Sequence, residues 1–314
     1  MRLCRFNDHR LGIVEGGTVR DVTAALEVLP KQEYPFPAHD LLIEHLDRIV
    51  ERARTLLPGA RTLAVDSVTL LSPVANPGKV IAAPVNYEKH RIEATKDPQL
   101  HGNNPGSAFS IQTAGLFLKA TSSLVGAGEG VVIRLPERRT DHEVELVVVI
   151  GKRANHVARQ DALAYVAGYS IGLDISIRGS EDRSFRKSPD SYTVLGPWLV
   201  TGDEISNPGA LDLQITVNGE VRQQSNTRHF ILGVAELIEM ASSMYTLHPG
   251  DLIFTGTPEG VSPIRAGDSI VATIANIGSM AVAVRAEEAI SIWGILSRQL
   301  TDRRRVADGS RTAT

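Results

Sequence analysis

Two glutamates one residue apart lead into an apolar run: Asp141-His142-Glu143-Val144-Glu145-Leu146 continues as Val147-Val148-Val149-Ile150-Gly151. Side chains alternate along a β-strand. Val144, Leu146, Val148 and Ile150 would share one face, and Glu143, Glu145, Val147 and Val149 the other. Two carboxylates then point the same way from a strand that reads as buried, where like charges repel strongly. A divalent cation removes that repulsion. The competing reading is a strand end whose carboxylates are solvated or pair with Arg138 and Arg139. A third acid weighs toward the cation. Asp174 lies in Gly168-Tyr169-Ser170-Ile171-Gly172-Leu173-Asp174-Ile175-Ser176, a strand-like apolar run in which a lone carboxylate needs a partner. Three carboxylates with no cysteine nearby suit Mg²⁺, Mn²⁺ or Ca²⁺ rather than a structural zinc. A salt bridge to Arg178 is the alternative for Asp174.

Asn86-Tyr87-Glu88-Lys89-His90-Arg91-Ile92-Glu93 holds a second constellation. On a helix His90 and Glu93 share a face and can touch. A carboxylate against an imidazole fixes its tautomer and raises its basicity, which suits a general base, although most such pairs are surface ion pairs. Lys187 stands in a basic patch with Arg183 and Arg186 and reads, by itself, as a solvated loop charge. The glycines of Thr255-Gly256-Thr257-Pro258-Glu259-Gly260-Val261 let backbone approach a ligand closely, or simply make a turn.

The elements that would carry these residues are mostly strands. Leu11 to Val14 and Thr18 to Val22 flank the hairpin signal Gly16-Gly17. His39 to Leu57 reads as an amphipathic helix with Leu42, Ile43, Leu46, Ile49 and Val50 on one stripe, stopped by Pro58-Gly59. Pro73, Pro77 and Gly78 mark a boundary before a strand at Lys79 to Ala83. Leu211, Leu213, Ile215 and Val217 alternate into Asn218-Gly219, a two-residue turn. Leu252 to Thr255 and Ser269 to Ile274 are further strands. Ala162 to Ala167 reads as a helix, and Val234, Leu237, Ile238 and Ala241 have helical spacing. The pattern predicts a β-rich α+β fold with a small α+β module at 1–75, a larger β-rich domain at 76–290 and a disordered tail at 301–314. There is no GxGxxG or P-loop.

The formal charge of −3 over 314 residues gives no reason to expect a nucleic-acid partner. No apolar run is long enough to span a membrane, and the first residues lack the apolar stretch of a signal peptide. Cys4 is the single cysteine, which excludes an intrachain disulfide; a reducing cytoplasm is the expected compartment.

Taken in order, Asn86-Tyr87-x-x-His90-x-x-Glu93, Phe117-Leu118-Lys119, Ser122-Ser123-Leu124-Val125-Gly126 and Asp141-x-Glu143-x-Glu145-Leu146 resemble the fumarylacetoacetate hydrolase family. So do Gly168-Tyr169 leading to Asp174, Lys187-Ser188, Leu195-Gly196-Pro197-Trp198 and Thr255-Gly256-Thr257-Pro258-x-Gly260-Val261. The resemblance spans roughly 79 to 285, and the leading module is similar to the small N-terminal domain of many bacterial members. It implies a mixed β-roll catalytic domain, a homodimer and a Mg²⁺ or Mn²⁺ site, with Ca²⁺ also compatible. By motif position the metal ligands are Glu143, Glu145 and Asp174, and His90 with Glu93 is the water-activating dyad on a mobile lid, expected over about His90 to Ala114. Lys187 and Thr257 are implied contacts of substrate or product, with Gly256 helping through its backbone. Leu173 replaces the Asn usual before the third ligand. Arg178-Gly179-Ser180-Glu181 stands where many members have Arg-Asp-Leu-Gln, which puts Arg178 and Glu181 at the substrate-binding place. These departures bear on the substrate more than on the metal.

The implied chemistry is hydrolysis of a C–C bond in a small dicarbonyl acid. His90, oriented by Glu93, deprotonates water, and Lys187 stabilises the negative charge that develops. Alternatives within the resemblance are decarboxylation or isomerisation of a 2-oxo acid, in which the attacking water is dispensable, and a non-catalytic metal- or metabolite-binding member. A Ca²⁺-stabilised structural β domain would leave His90 and Glu93 unexplained.

Overall fold

The computed structural model describes residues 1–101 and 110–287. The expected tail, the last residues of the expected catalytic domain and the middle of the expected lid lie outside them.

At the centre is the strand Val144–Ile150, buried along its whole length. Val144, Leu146, Val148 and Ile150 join the largest apolar cluster, while Val147 and Val149 join a second cluster on the opposite face. Two-sided burial explains why the sequence runs continuously apolar here instead of alternating with polar residues. The strand pairs antiparallel with Val166–Asp174, placing Glu145 opposite Gly172, and with Leu252–Phe254 on its other edge. A Cβ at Gly172 would stand 2.4 Å from both Phe254 and Val147, so glycine is required for this close packing.

The main sheet has 12 strands, running from Thr62–Ala64 through Thr18–Asp21, Arg10–Glu15, Arg2–Phe6, Thr193–Thr201, Val166–Asp174, Val144–Ile150, Leu252–Phe254 and Val80–Ala82 to Phe117–Lys119. Leu70–Leu71 and Leu124–Gly126 pair off that path. The leading module does not build a sheet of its own. Its first strand pairs with Thr193–Thr201, Leu3 opposite Leu199, and so extends the central sheet. A five-stranded sheet, Glu220–Asn226, Asp212–Val217, Ser269–Ile274, Gly278–Ala286 and Val131–Ile133, closes over the large cluster, to which Leu213, Ile215, Ile270, Ala272 and Ile274 contribute. Three short strands, Ser176–Ile177, Thr140–His142 and Ser262–Pro263, frame the polar centre. The fold is the β-rich α+β class read from the sequence, and no helix among the described residues is long and apolar enough to cross a membrane.

Two helix expectations need correction. The 39–57 helix is two helices, Leu41–Glu44 and Leu46–Leu56, because His45 leaves helical geometry at φ −106, ψ 24. Asp40 caps the first by accepting from Ile43 N, and its other oxygen accepts from Ala75 N and Asn76 N, docking that turn onto the chain that enters the catalytic strands. The 162–167 helix is a 3₁₀ stretch, Arg159–Tyr165, and Val166 already belongs to a strand whose pairing overrides local helix preference.

Candidate active site

Glu143 sits at the junction between Thr140–His142 and Val144–Ile150, and Asp174 ends Val166–Asp174. The Asp174 N–H donates to the Glu143 carbonyl at 3.0 Å, which brings the two strand ends together. One carboxylate oxygen each from Glu143, Glu145 and Asp174 lies within 4.8 Å of the others, and all three residues are buried. Ligands held about 2.0–2.6 Å from one ion span such a separation, so the oxygen donors fit a hard divalent cation.

Buried cations surround the acids. Lys187 Nζ donates to Glu143 Oε2 at 2.7 Å, Asp174 Oδ2 at 2.7 Å and Ser176 Oγ at 2.6 Å. Lys119 Nζ donates to Asp174 Oδ1 and to the Tyr192 carbonyl. Arg178 donates to Glu143 Oε1 at 2.7 Å and Asp141 Oδ2 at 2.8 Å. Against Asp141, Glu143, Glu145 and Asp174 stand Lys119, Arg178 and Lys187, so 3 − 4 = −1; the further pair of Asp97 with Arg139 adds one of each sign. Glu145 is the acid left over. Its hydrogen bond among the described residues comes from Gly256 N at 2.6 Å.

The titration directions follow. Burial pushes the Glu145 carboxyl well above the ordinary carboxylate range, and the charges of Asp174 and Glu143 push it further. Burial raises Glu143 as well, but Lys187 and Arg178 outweigh it and hold that carboxyl low. Burial lowers Lys119, against the pull of Asp174. A divalent ion beside Glu145 would replace its proton and more than offset the single excess negative charge, −1 + 2 = +1.

His90 is buried on the helix Glu88–Lys96, and its Nδ1 lies 2.9 Å from Glu93 Oε2. Its partner Glu93 and the acid Glu145 both accept from the one loop after Leu252–Phe254, at Gly260 N and Gly256 N. Glu93 Oε1 accepts from Gly260 N at 3.0 Å, so the dyad is seated on the loop after Leu252–Phe254. Of the expected lid, residues 90–101 and 110–114 are described, and the helix Glu88–Lys96 that leads into it is tethered to that loop through Glu93.

That loop is fixed from below. Asn86 Nδ2 donates to the carbonyls of Thr255 and Leu232 at 2.8 Å each, and its Oδ1 accepts from Leu232 N. Gly256 has φ +96, and a Cβ on it would stand 2.7 Å from Asn86 Cβ. Gln223 Nε2 donates to Thr257 Oγ1 at 2.8 Å and to the Pro258 carbonyl, while its Oε1 accepts from Val144 N. The Thr257 hydroxyl keeps its own proton for another acceptor.

Some residues fall differently from the simpler sequence readings. Lys187 is not a solvated loop charge. Asp174 pairs with Lys119 and Lys187 rather than with Arg178. Arg138 and Arg139 leave Glu143 and Glu145 alone and pair with Glu181, and with Asp97 and Asp141. Both oxygens of Glu181 accept from Arg138, at 2.8 Å, and it makes no hydrogen bond to the acid centre. Arg178 spends its donors on Asp141 and Glu143. The structure adds Lys119, Asp141 and Gln223. Lys119 was legible as the charged end of a short apolar strand; Gln223, within the polar run Glu220–Asn226, carried no signal.

A β-rich sheet architecture enclosing a three-carboxylate centre beside a His–Glu pair defines a class, and the family model for the fumarylacetoacetate (FAA) hydrolase C-terminal domain matches residues 79–285. The chain belongs to that family. It is 57% identical over 285 residues to a maleylpyruvate hydrolase of Aquipseudomonas alcaligenes, covering 91% of this chain and 99% of that protein. A crystal structure of maleylpyruvate hydrolase from Sphingobium sp. SYK-6 with manganese (II) ion and pyruvate superimposes with TM-score 0.76 at 37% identity, covering 91% of this chain and 99% of that one. A mitochondrial oxaloacetate tautomerase of Rattus norvegicus is 33% identical over 280 residues, 84% of this chain and 82% of its own.

Proposed function

We propose that this chain hydrolyses maleylpyruvate, or a closely related acylpyruvate, to pyruvate and the free acid. The observation that carries the reading is the convergence of Glu143, Glu145 and Asp174 within 4.8 Å of one another. Similarity to maleylpyruvate hydrolases over nearly their whole length supplies the substrate class.

Mg²⁺ or Mn²⁺ held by Glu143, Glu145 and Asp174 would supply Lewis-acid polarisation of the 2-oxo acid. The rest falls to the chain's own groups. Glu93 holds His90 through Nδ1, leaving Nε2 to take a proton from water. Hydroxide adds to the acyl carbonyl carbon, and the C–C electron pair passes to the methylene carbon of the pyruvate unit. His90 returns the proton to that carbon, so one water is consumed per bond broken. Lys187, placed by Glu143 and Asp174, favours the negative charge that develops on the pyruvate fragment. Thr257 offers its hydroxyl proton to substrate or product. Gly256 acts through Glu145, whose orientation its N–H sets. Arg178 and Glu181 serve the site indirectly, through Glu143 and through Arg138.

Burial pushes the Cys4 thiol up to about 12 and makes it inert. The homodimer and the cytoplasmic location that the sequence and its family resemblance imply stand as part of this proposal. Residues 1–75 and 76–290 are best treated as a leading module and a catalytic domain sharing one sheet.

The test is turnover by the purified protein of maleylpyruvate, fumarylpyruvate and oxaloacetate, with Mn²⁺ and with chelator. Metal-dependent pyruvate release from the acylpyruvates is expected. Turnover of oxaloacetate alone would replace this reading by a decarboxylase or tautomerase.

A further inference from the structure

A ladder of alternating charges leaves the acid centre and ends on the helix that carries His90. Glu143 Oε1 accepts from Arg178 Nη2 at 2.7 Å, and Arg178 Nε donates to Asp141 Oδ2 at 2.8 Å. Asp141 also accepts from Arg139, Nε to Oδ1 at 2.8 Å and Nη2 to Oδ2 at 2.9 Å. Arg139 Nη1 then reaches Asp97 Oδ2 at 2.8 Å. Asp97 is the residue that ends Glu88–Lys96: its N–H donates to the Glu93 carbonyl, and its Oδ1 accepts from Gln99 N at the start of Pro98–His101.

The links differ in exposure. Asp141 is fully buried, whereas the Asp97 side chain is 32% exposed and that of Arg139 24% exposed. The ladder is firm at the acid end and releasable at the helix end, because an ion pair near water is weak while a buried one resists breaking. The helix has a second tether, Glu93 to Gly260 N, and both hold it over the same centre.

We propose that Asp97 and Arg139 are positioning residues of the reaction: through Asp141 and Arg178 they couple the seating of the His90 helix to the placement of Glu143. This rests on Glu143 being a metal ligand and His90 the base. A cation that draws on the Glu143 carboxylate shifts the load on Arg178. The two oxygens of Asp141 then redistribute between Arg178 and Arg139, and the grip on Asp97 changes. Coupling of this kind is reciprocal, so a seated helix must in turn favour cation binding.

The experiment is amide exchange across residues 88–97 in the full chain, with and without Mn²⁺ and with no substrate present. Binding is followed separately by Mn²⁺ electron paramagnetic resonance. Asp97→Asn keeps the acceptor for Gln99 N and removes the charge that holds Arg139. In wild type, Mn²⁺ should slow exchange of this segment by about three- to tenfold, in line with coupling factors of this kind. Asp97→Asn should abolish that Mn²⁺ dependence while still binding the ion, and Asp97→Glu should restore it in part. A wild-type segment that exchanges equally with and without bound Mn²⁺ overturns the proposal, as does an Asp97→Asn chain that keeps the full effect. Because no substrate is used, the outcome is separate from whether maleylpyruvate is the substrate, and a chain that binds no Mn²⁺ would indict the metal assignment instead.

Discussion

Glu145 receives a 2.6 Å hydrogen bond from the backbone N–H of Gly256, and Gly256, at φ +96, faces Asn86 with no room between them for a Cβ. The carboxylate that has no ion pair among the described residues is thus aimed by backbone. Gly256→Ala forces a Cβ to within 2.7 Å of Asn86 Cβ at φ +96, and something must shift. We expect a loss of about 1–3 kcal/mol of stability together with weaker Mn²⁺ binding. Calorimetric melting and Mn²⁺ titration read the two effects, and an alanine variant with unchanged metal affinity would show that Gly256 does not set Glu145.

The elevated Glu145 carboxyl gives the metal-free protein a definite pH response. A group whose folded pKa is raised contributes stability at pH below its unfolded value, and that contribution is lost as pH rises through the folded value. Glu143, held low, contributes in the opposite sense: its share is present above the ordinary carboxylate range and is lost on acidification. The metal-free melting temperature should therefore fall as pH climbs above the ordinary carboxylate range. Mn²⁺ competes with the Glu145 proton, so the rise in melting temperature on adding Mn²⁺ should grow with pH over the same interval. A metal-induced shift that stays flat across that interval would contradict the assignment.

Lys119 supplies the second buried cation of the centre. Lys119→Met keeps the bulk but leaves Asp174 with Lys187 alone, and breaking one partner from a buried pair costs about 3–5 kcal/mol. The local balance becomes 2 − 4 = −2, counted over Asp141, Glu143, Glu145 and Asp174 against Arg178 and Lys187. The metal-free variant should melt lower than wild type, and Mn²⁺ should recover more of that loss than the stabilisation it confers on wild type. Equal Mn²⁺-induced shifts in the two proteins would remove Lys119 from the charge balance of the site.

How much of this was legible depended on whether a contact was local in sequence. The period-2 reading of Val144 to Ile150 was sound because both faces of one strand report on burial, and an acid inside such a run is conspicuous. His90 and Glu93 lie one helical turn apart, so spacing alone brought them together. Lys119 meets Asp174 across 55 residues, and Gln223, on the five-stranded sheet, reaches Thr257 in the loop after Leu252–Phe254. Nothing in their own neighbourhoods announces those partners. The pairing of Leu3 with Leu199, which merges the leading module into the central sheet, was invisible for the same reason. The break at His45 and the early strand start at Val166 are cases where docking of Asp40 and sheet pairing overrode a helical pattern.

His90→Ala separates general-base catalysis from metal binding. Removing a general base costs on the order of 10²–10⁴ in rate, so kcat/KM for maleylpyruvate should fall by that factor. Mn²⁺ affinity should hold, since the His90 ring bonds Glu93 and none of the three acids. Undiminished hydrolysis would take His90 out of the mechanism, and loss of the ion would make it a ligand.

The central claim is that Glu143, Glu145 and Asp174 hold one catalytic cation. The direct measurement is Mn²⁺ stoichiometry by electron paramagnetic resonance, taken on the same samples as pyruvate release from maleylpyruvate. The samples are wild type, Glu143→Gln, Glu145→Gln and Asp174→Asn. The account predicts one tightly bound ion per wild-type chain, with binding weakened at least about tenfold and pyruvate release lost in each variant. Wild-type protein that releases pyruvate at full rate in excess chelator, or a variant that keeps both the ion and the turnover, would contradict it.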